Sequence, residues 1–332
     1  MIFNKECDPH PYNKSTFMTT HNSYRWSITK QLDIGIRGFE LDIHDTWTLP
    51  ERILGKLSGG RYKGNFKIGH GWAGHEVHHR KRGNPWGNNV EKWLGKIAEW
   101  SREHNGHPPI TVFIDIKKNL VDANNKPPEQ FGLIRLNEQI LNVFKNNEAR
   151  LVTSEDFANF FKRQDSGPTI GDLRNKIIVV LMSFHVPLEK ELQKNPNLIK
   201  RVFSRLIKSW KELPIHFFID PIGAMKTRIV YQKGRIKNDI PLDAICCVAF
   251  NPQDPDESDY EPFLEEKSLF VTPYSPDKYT DYISRCCEKG LIVRSDYKKR
   301  DGSWPPLPPC VNFPVADDWE DDGYLNATDW VK

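Results

Sequence analysis

The stretch Gly38-Phe39-Glu40-Leu41-Asp42-Ile43-His44-Asp45 alternates as a β-strand does, and both of its faces carry information. Phe39, Leu41 and Ile43 point to one side, Glu40, Asp42 and His44 to the other. On a solvent-facing edge the acidic side would need no explanation. Inside a barrel, two carboxylates on one strand require a compensating cation, because unpaired buried anions are strongly disfavoured. The reading of the whole chain turns on which side of a sheet this face occupies.

A second strand repeats the split. In Ile110-Thr-Val-Phe-Ile-Asp-Ile-Lys117, Ile110, Val112, Ile114 and Ile116 share one face, and Thr111, Phe113, Asp115 and Lys117 share the other. Short apolar runs of strand type recur at 16–20, 38–43, 66–69, 110–116, 176–182, 215–219, 244–250, 269–272 and 291–295. Helical patterns fall between them at 26–34, 89–104, 128–146, 188–213 and 277–289, the last followed by Gly290 as a stop signal. Alternating strands and helices define an α/β fold, and a (β/α)8 TIM-type barrel fits, with one strand candidate to spare. A doubly wound open sheet is the alternative, although no G-x-G-x-x-G follows an early strand.

The expected organisation is a single domain spanning 1–332. Its core lies at about 15–300, and a Pro-rich, then acidic and aromatic, extension occupies 301–332. With 332 residues and a net charge of +3, the composition is that of a globular protein and gives no reason to invoke nucleic acid. No signal peptide is visible, and no run of about 18 apolar residues offers a transmembrane helix. A cytoplasmic or peripheral-membrane location is expected, with secretion left open. Of the six cysteines, the adjacent pairs Cys246-Cys247 and Cys286-Cys287 read as buried reduced thiols, and none has C-x-x-C spacing.

Candidate chemistry gathers where the first strands end, which in a parallel barrel is the catalytic end. His21 and Asn22 follow the first strand, Glu40 and Asp42 lie on the second, His70 follows the third, and Asp115 and Lys117 close the fourth. Carboxylates with an amide oxygen form a hard-oxygen donor set suited to calcium or magnesium and poor for zinc. Two histidines beside such a metal suit general acid–base work on a phosphodiester, with Lys117 in reach of a phosphate oxygen. His44 reads as a support for the acids. The run His75–Arg82 matches no zinc motif and reads as an exposed loop. Flanked by Trp72 and Trp86, it could form a cationic, aromatic rim facing an anionic membrane.

Taken in order, Thr20-His-Asn-Ser-Tyr24, Gln31 to His44, Ile68-Gly-His-Gly71 and Ile110 to Lys117 resemble the catalytic domain of the phosphatidylinositol-specific phospholipase C-like phosphodiesterases, in particular their calcium-dependent bacterial branch. The segments 165–181 and 290–298 resemble that superfamily's fifth and last strands. The resemblance implies His21 and His70 as the catalytic pair. It implies Asn22, Glu40, Asp42 and Asp115 as ligands of a calcium ion, with magnesium as the other candidate. It further implies a phospholipid substrate attacked by its own inositol 2-hydroxyl to give a cyclic phosphate and diacylglycerol. The Glu-x-Asp, His-Gly and Asp-x-Lys patterns are shared with glycerophosphodiesterases and sphingomyelinase-D-like enzymes, which are the second reading. A non-catalytic barrel that binds phosphoinositide or a protein partner is the third.

Overall fold

The computed structural model describes residues 5–44, 66–116, 132–182, 247–249, 270–271, 280–298 and 303–331. Short breaks fall at 71–73, 75, 79, 154–155, 157–158, 161–166, 289, 308–309 and 327–329. In chain order the elements are β1 (Thr19–Thr20), α1 (Ile28–Asp33), β2 (Gly38–His44), β3 (Lys67–Ile68), α2 (Val90–Glu103), β4 (Ile110–Ile116), α3 (Gly132–Asn146), β5 (Arg150–Leu151), β6 (Lys176–Met182), β7 (Cys247–Ala249), β8 (Phe270–Val271), α4 (Thr280–Glu288), β9 (Ile292–Asp296), β10 (Phe313–Ala316) and α5 (Asp322–Leu325). The helix expected at 188–213 and the strand expected at 215–219 lie outside the described residues.

The strands form one curled sheet in the order β5-β6-β4-β2-β1-β10-β9-β8, with β7 pairing parallel to β6. Strands β1, β2, β4, β6, β7, β8, β9 and β10 follow one another as in a (β/α)8 barrel, open between β7 and β8 among the described residues. The candidate at 66–69 lies outside this succession as β3, which pairs antiparallel with the end of β2, Ile43 opposite Ile68, while β10 was not among the expected strands.

Period-two alternation sorts β2, β4 and β6 into two layers. Phe39, Leu41 and Ile43 join Ile110, Val112 and Ile114 and also Ile177, Val179 and Leu181 in an outer layer. This layer packs on Val90, Trp93, Leu94 and Ile97 of α2 and on Leu136 and Ile140 of α3. The stripe on α2 has the three- and four-residue spacing of an amphipathic helix. The opposite faces line the barrel interior, where Phe113, Ile178, Val180 and Met182 meet Tyr12, Phe17, Phe270, Ile292 and Phe313. Phe17 stacks on Phe313 at 5.0 Å between ring centres, and Phe113 meets Phe313 edge-on at 5.1 Å. These rings fill the half of the barrel nearer the strand N-termini.

Two glycines are fixed by their surroundings. A Cβ on Gly38 would overlap the Thr19 side chain on the neighbouring strand, so only glycine lets β1 and β2 start in register. Gly290 ends α4 with a φ of +71°, the left-handed conformation that favours glycine at this position.

Two expectations are corrected. The tail is more than an extension, because Phe313–Ala316 enters the sheet as β10, parallel to and between β1 and β9. Pro314 has no N–H to give to a ladder. Tyr324 of α5 compensates by inserting its hydroxyl between the two strands, accepting from the Thr19 amide at 2.8 Å and reaching the carbonyls of Thr19 (2.9 Å) and Pro314 (3.0 Å). The cysteines are not all thiols either: Cys287 and Cys310 form a disulfide that ties the end of α4 to the approach of β10, while Cys286 is a buried thiol. Spacing along the chain could not show this pairing, since it depends on where the tail returns. Structural disulfides belong to oxidising compartments.

Candidate active site at the C-terminal end of the strands

Strand register explains why the acids meet. In the β2–β4 pair, Glu40 lies opposite Phe113 and Asp42 opposite Asp115, so the last interior position at which the two strands pair is carboxylate on both. One oxygen from each of Glu40, Asp42 and Asp115 lies within 4.8 Å of the others, and all three residues are buried. The acidic face of Gly38–His44 is therefore interior.

The register of β1 explains the first histidine. Thr20 pairs with Phe39 on one side and Ala316 on the other, so His21 follows beside Glu40 and Asp317. Its Nδ1–H donates to Asp317 Oδ1 at 2.8 Å, and Nε2 lies 3.7 Å from Glu40 Oε2. Burial works against a charge on this ring, but the Glu40 carboxylate and the hydrogen bond to Asp317 outweigh it and lift the His21 pKa to about 9. The same bond to His21 holds the Asp317 carboxyl below its ordinary range, against the effect of burial.

His70 is placed by the short antiparallel strand. The Gly69 amide donates to the Asp42 carbonyl at 3.1 Å, and His70 Nδ1–H donates to Asp42 Oδ2 at 3.1 Å, leaving Nε2 turned away from the acid. The expectation for His44 changes in detail. Its Nε2–H reaches the carbonyls of Gly69 (3.0 Å) and His70 (2.7 Å), so it braces the loop that presents His70 and touches no acid through that nitrogen.

Asn22 adopts the left-handed conformation, with φ +46° and ψ +52°, which asparagine tolerates better than most residues. The buried Tyr24 hydroxyl lies 2.6 Å from Asn22 Oδ1 and 2.9 Å from Asp42 Oδ2, linking the amide to the acids. Burial, then the Asp42 charge, raises the Tyr24 pKa, so its hydroxyl remains a proton donor.

Of the residues singled out in the sequence, His21, Asn22, Glu40, Asp42, His70 and Asp115 converge, and Lys117 lies outside the described residues. Sequence reasoning passed over Asp317 and Arg294. Arg294 on β9 is buried and pairs with Glu40 through Nη2. It carried the same signal that marked β2: Ile292, Arg294 and Asp296 share a face, and Ile292 lines the interior. Asp317 had the equivalent signal in Phe313, Val315 and Asp317, hidden by Pro314 within a proline-rich tail.

The donor set fits a divalent metal. Three buried carboxylates within reach of one another, with an amide oxygen adjoining, match the hard-oxygen preference of calcium or magnesium, and the set includes no sulfur ligand. A metal-free consequence can be measured. The folded protein binds the His21 proton more tightly than the unfolded chain, whose value is near 6.5. Stability from this group is therefore complete below about 6.5 and is lost as pH rises through about 9. Urea denaturation in chelator is expected to show that decline across the window, and His21→Gln to flatten it. An equal slope in the variant would mean that another group carries the dependence.

No protein-family model and no curated protein matches the chain. Solved structures do: the fold is that of the calcium-dependent bacterial phosphatidylinositol-specific phospholipases C. A calcium-dependent phosphoinositol-specific phospholipase C from Pseudomonas sp., described as a myoinositol complex, superposes with a TM-score of 0.60 at 16% identity. The match covers 97% of this chain and 96% of that one. A calcium-dependent phosphatidylinositol-specific phospholipase C from Streptomyces antibioticus gives a TM-score of 0.60 at 16% identity, over 96% of this chain and 97% of that one. At such identities the likeness establishes the fold.

Proposed function

We propose that the protein is a metal-dependent phosphodiesterase of the phospholipase C type, with phosphatidylinositol as substrate and calcium as cofactor. The observation that carries this reading is the flanking of a buried three-carboxylate cluster by two histidines, His21 and His70, each tied through Nδ1 to its own carboxylate. Each imidazole then has its Nε2 available for proton transfer and a fixed orientation.

Asn22, Glu40, Asp42 and Asp115 would hold the metal. When bound, it would offset negative charge developing on the phosphate and lower the pKa of an attacking hydroxyl. One histidine removes the proton from the substrate hydroxyl and the other returns a proton to the leaving glycerol oxygen, so the protons balance and a cyclic phosphate forms. Asp317 and Asp42 each stabilise the positive charge their histidine acquires. The similarity of fold to enzymes whose names specify phosphatidylinositol and calcium supports the substrate and the metal. Turnover measured on phosphatidylinositol, a glycerophosphodiester and sphingomyelin, each with calcium, magnesium or chelator, tests the class. Cleavage of phosphatidylinositol alone, dependent on calcium, is expected. Cleavage confined to either of the others would transfer the site to the glycerophosphodiesterase or sphingomyelinase-D-like reading.

Contact with an anionic membrane belongs to the same proposal. Asn84 docks the 76–86 segment beside the site, accepting from the Ile28 amide at 2.8 Å and donating to the Trp26 carbonyl at 2.7 Å. Arg80, Arg82 and Trp86 are left exposed, and the Lys81 ammonium sits 4.3 Å from the centre of the Trp26 ring. No helix among the described residues is long and apolar enough to cross a membrane. Reversing the charges at Arg80, Lys81 and Arg82 should lower turnover on anionic vesicles by about tenfold or more and leave a soluble substrate unaffected. Equal losses on both would count against a membrane role.

A further inference from the structure

Three carboxylates packed together need positive charge even in the absence of metal, and the chain supplies part of it. Arg294, on β9 across the barrel from β2, pairs through Nη2 with Glu40 Oε2, and both side chains are at least 95% buried. The guanidinium lies over Phe113, 5.4 Å from the ring centre, above the aromatic layer that fills the lower barrel. Its Nε is buried and makes no hydrogen bond among the described residues. A cation held in so apolar a setting leans on Glu40 for its charge balance, and Glu40 leans on it. Glu40 is also one of the three acids that converge on the candidate metal position.

The Glu40 carboxylate, whose Oε2 already pairs with Arg294 and lies 3.7 Å from His21 Nε2, thus has a further claimant in the metal. A divalent cation entering among Glu40, Asp42 and Asp115 meets a fixed positive charge already attached to one of its ligands, and at these separations in a water-poor interior like charges repel strongly. Resting on the metal-binding reading of the cluster, we propose that Arg294 is an internal counter-cation that competes with the divalent metal for Glu40. It keeps the acids compatible with the fold when metal is absent and weakens the affinity for metal when it is present.

The competing role is that of a positioning residue, in which Arg294 aims Glu40 at the metal. The two roles predict opposite signs. Calorimetric titration with calcium alone should be run on wild type, Arg294→Met, which keeps an unbranched stem over Phe113, and Arg294→Lys, alongside thermal unfolding in chelator and in calcium. Arg294→Met is expected to bind calcium about tenfold tighter or more. It should also unfold at a lower temperature in chelator and gain more from calcium than wild type does. Should Arg294→Met fail to fold, Arg294→Lys decides, because its shorter reach loosens the hold on Glu40 and calcium should bind severalfold tighter. Wild type that binds calcium while either folded variant binds it equally or more weakly overturns the proposal and leaves the metal site standing. Wild type that binds neither calcium nor magnesium overturns the metal reading and this inference with it.

Discussion

His70→Ala is expected to lower phosphodiester turnover by about a thousandfold, with His21→Ala close behind, while both variants keep the wild-type fold and still bind calcium. The expectation comes from where the rings are anchored. His70 donates to Asp42 from a loop held by the Gly69 amide and by His44, so removing its side chain leaves the carboxylates and the sheet register in place. The His21 side chain sits between Glu40 and Asp317 at a strand end whose backbone bond to Ala316 does not depend on it. Removing His70 takes away a proton carrier and little else, whereas removing His21 also takes away the positive charge beside Glu40 and Asp317 that stabilises the metal-free protein. Circular dichroism and calcium titration separate this outcome from misfolding or lost metal. Turnover within a few fold of wild type in both variants would mean that the histidines are not the acid and base.

Asp42→Asn carries the second large expected effect. Asp42 is fully buried at the centre of the constellation: it lies opposite Asp115, meets the Tyr24 hydroxyl at 2.9 Å and receives His70 at 3.1 Å. The amide matches the acid in size and removes one negative charge from a crowded group. Calcium affinity should fall on the order of a hundredfold or more, beyond the effect usual for groups that only support a ligand. Turnover should fall with it. In chelator, the same variant should unfold at a temperature equal to or above that of wild type, because a buried charge without metal has been removed. Loss of metal-free stability together with metal binding would instead identify Asp42 as a structural anchor. The chelator measurement distinguishes the two.

Much of the site was legible because it obeys a two-residue period. Glu40 and Asp42 stood out against the apolar face of Phe39, Leu41 and Ile43, and Asp115 against that of Val112 and Ile114; register then brought them into one layer. His21 and His70 were legible from their places at strand ends. Asp317 and Arg294 were not singled out, for different physical reasons. Arg294 carried the period, but its importance lies in reach: a long side chain crosses the barrel to Glu40, a contact between residues remote in sequence. Asp317 was masked by Pro314, which argues against a central strand until Tyr324 is seen supplying the hydroxyl that bridges β1 and β10. The Cys287–Cys310 bond was hidden by the same return of the tail. Local pattern thus revealed which faces are buried, while pairing of remote segments settled what closes the site.

The central claim is metal-assisted phosphodiester cleavage by the histidine pair. Phosphorus NMR of the protein incubated with phosphatidylinositol vesicles tests it most directly, in calcium and in chelator, for wild type and His70→Ala. A cyclic inositol phosphate resonance that forms only with calcium and only in wild type is the expected result. A product that forms equally in chelator or in His70→Ala, or no product from a protein that binds calcium, would contradict it.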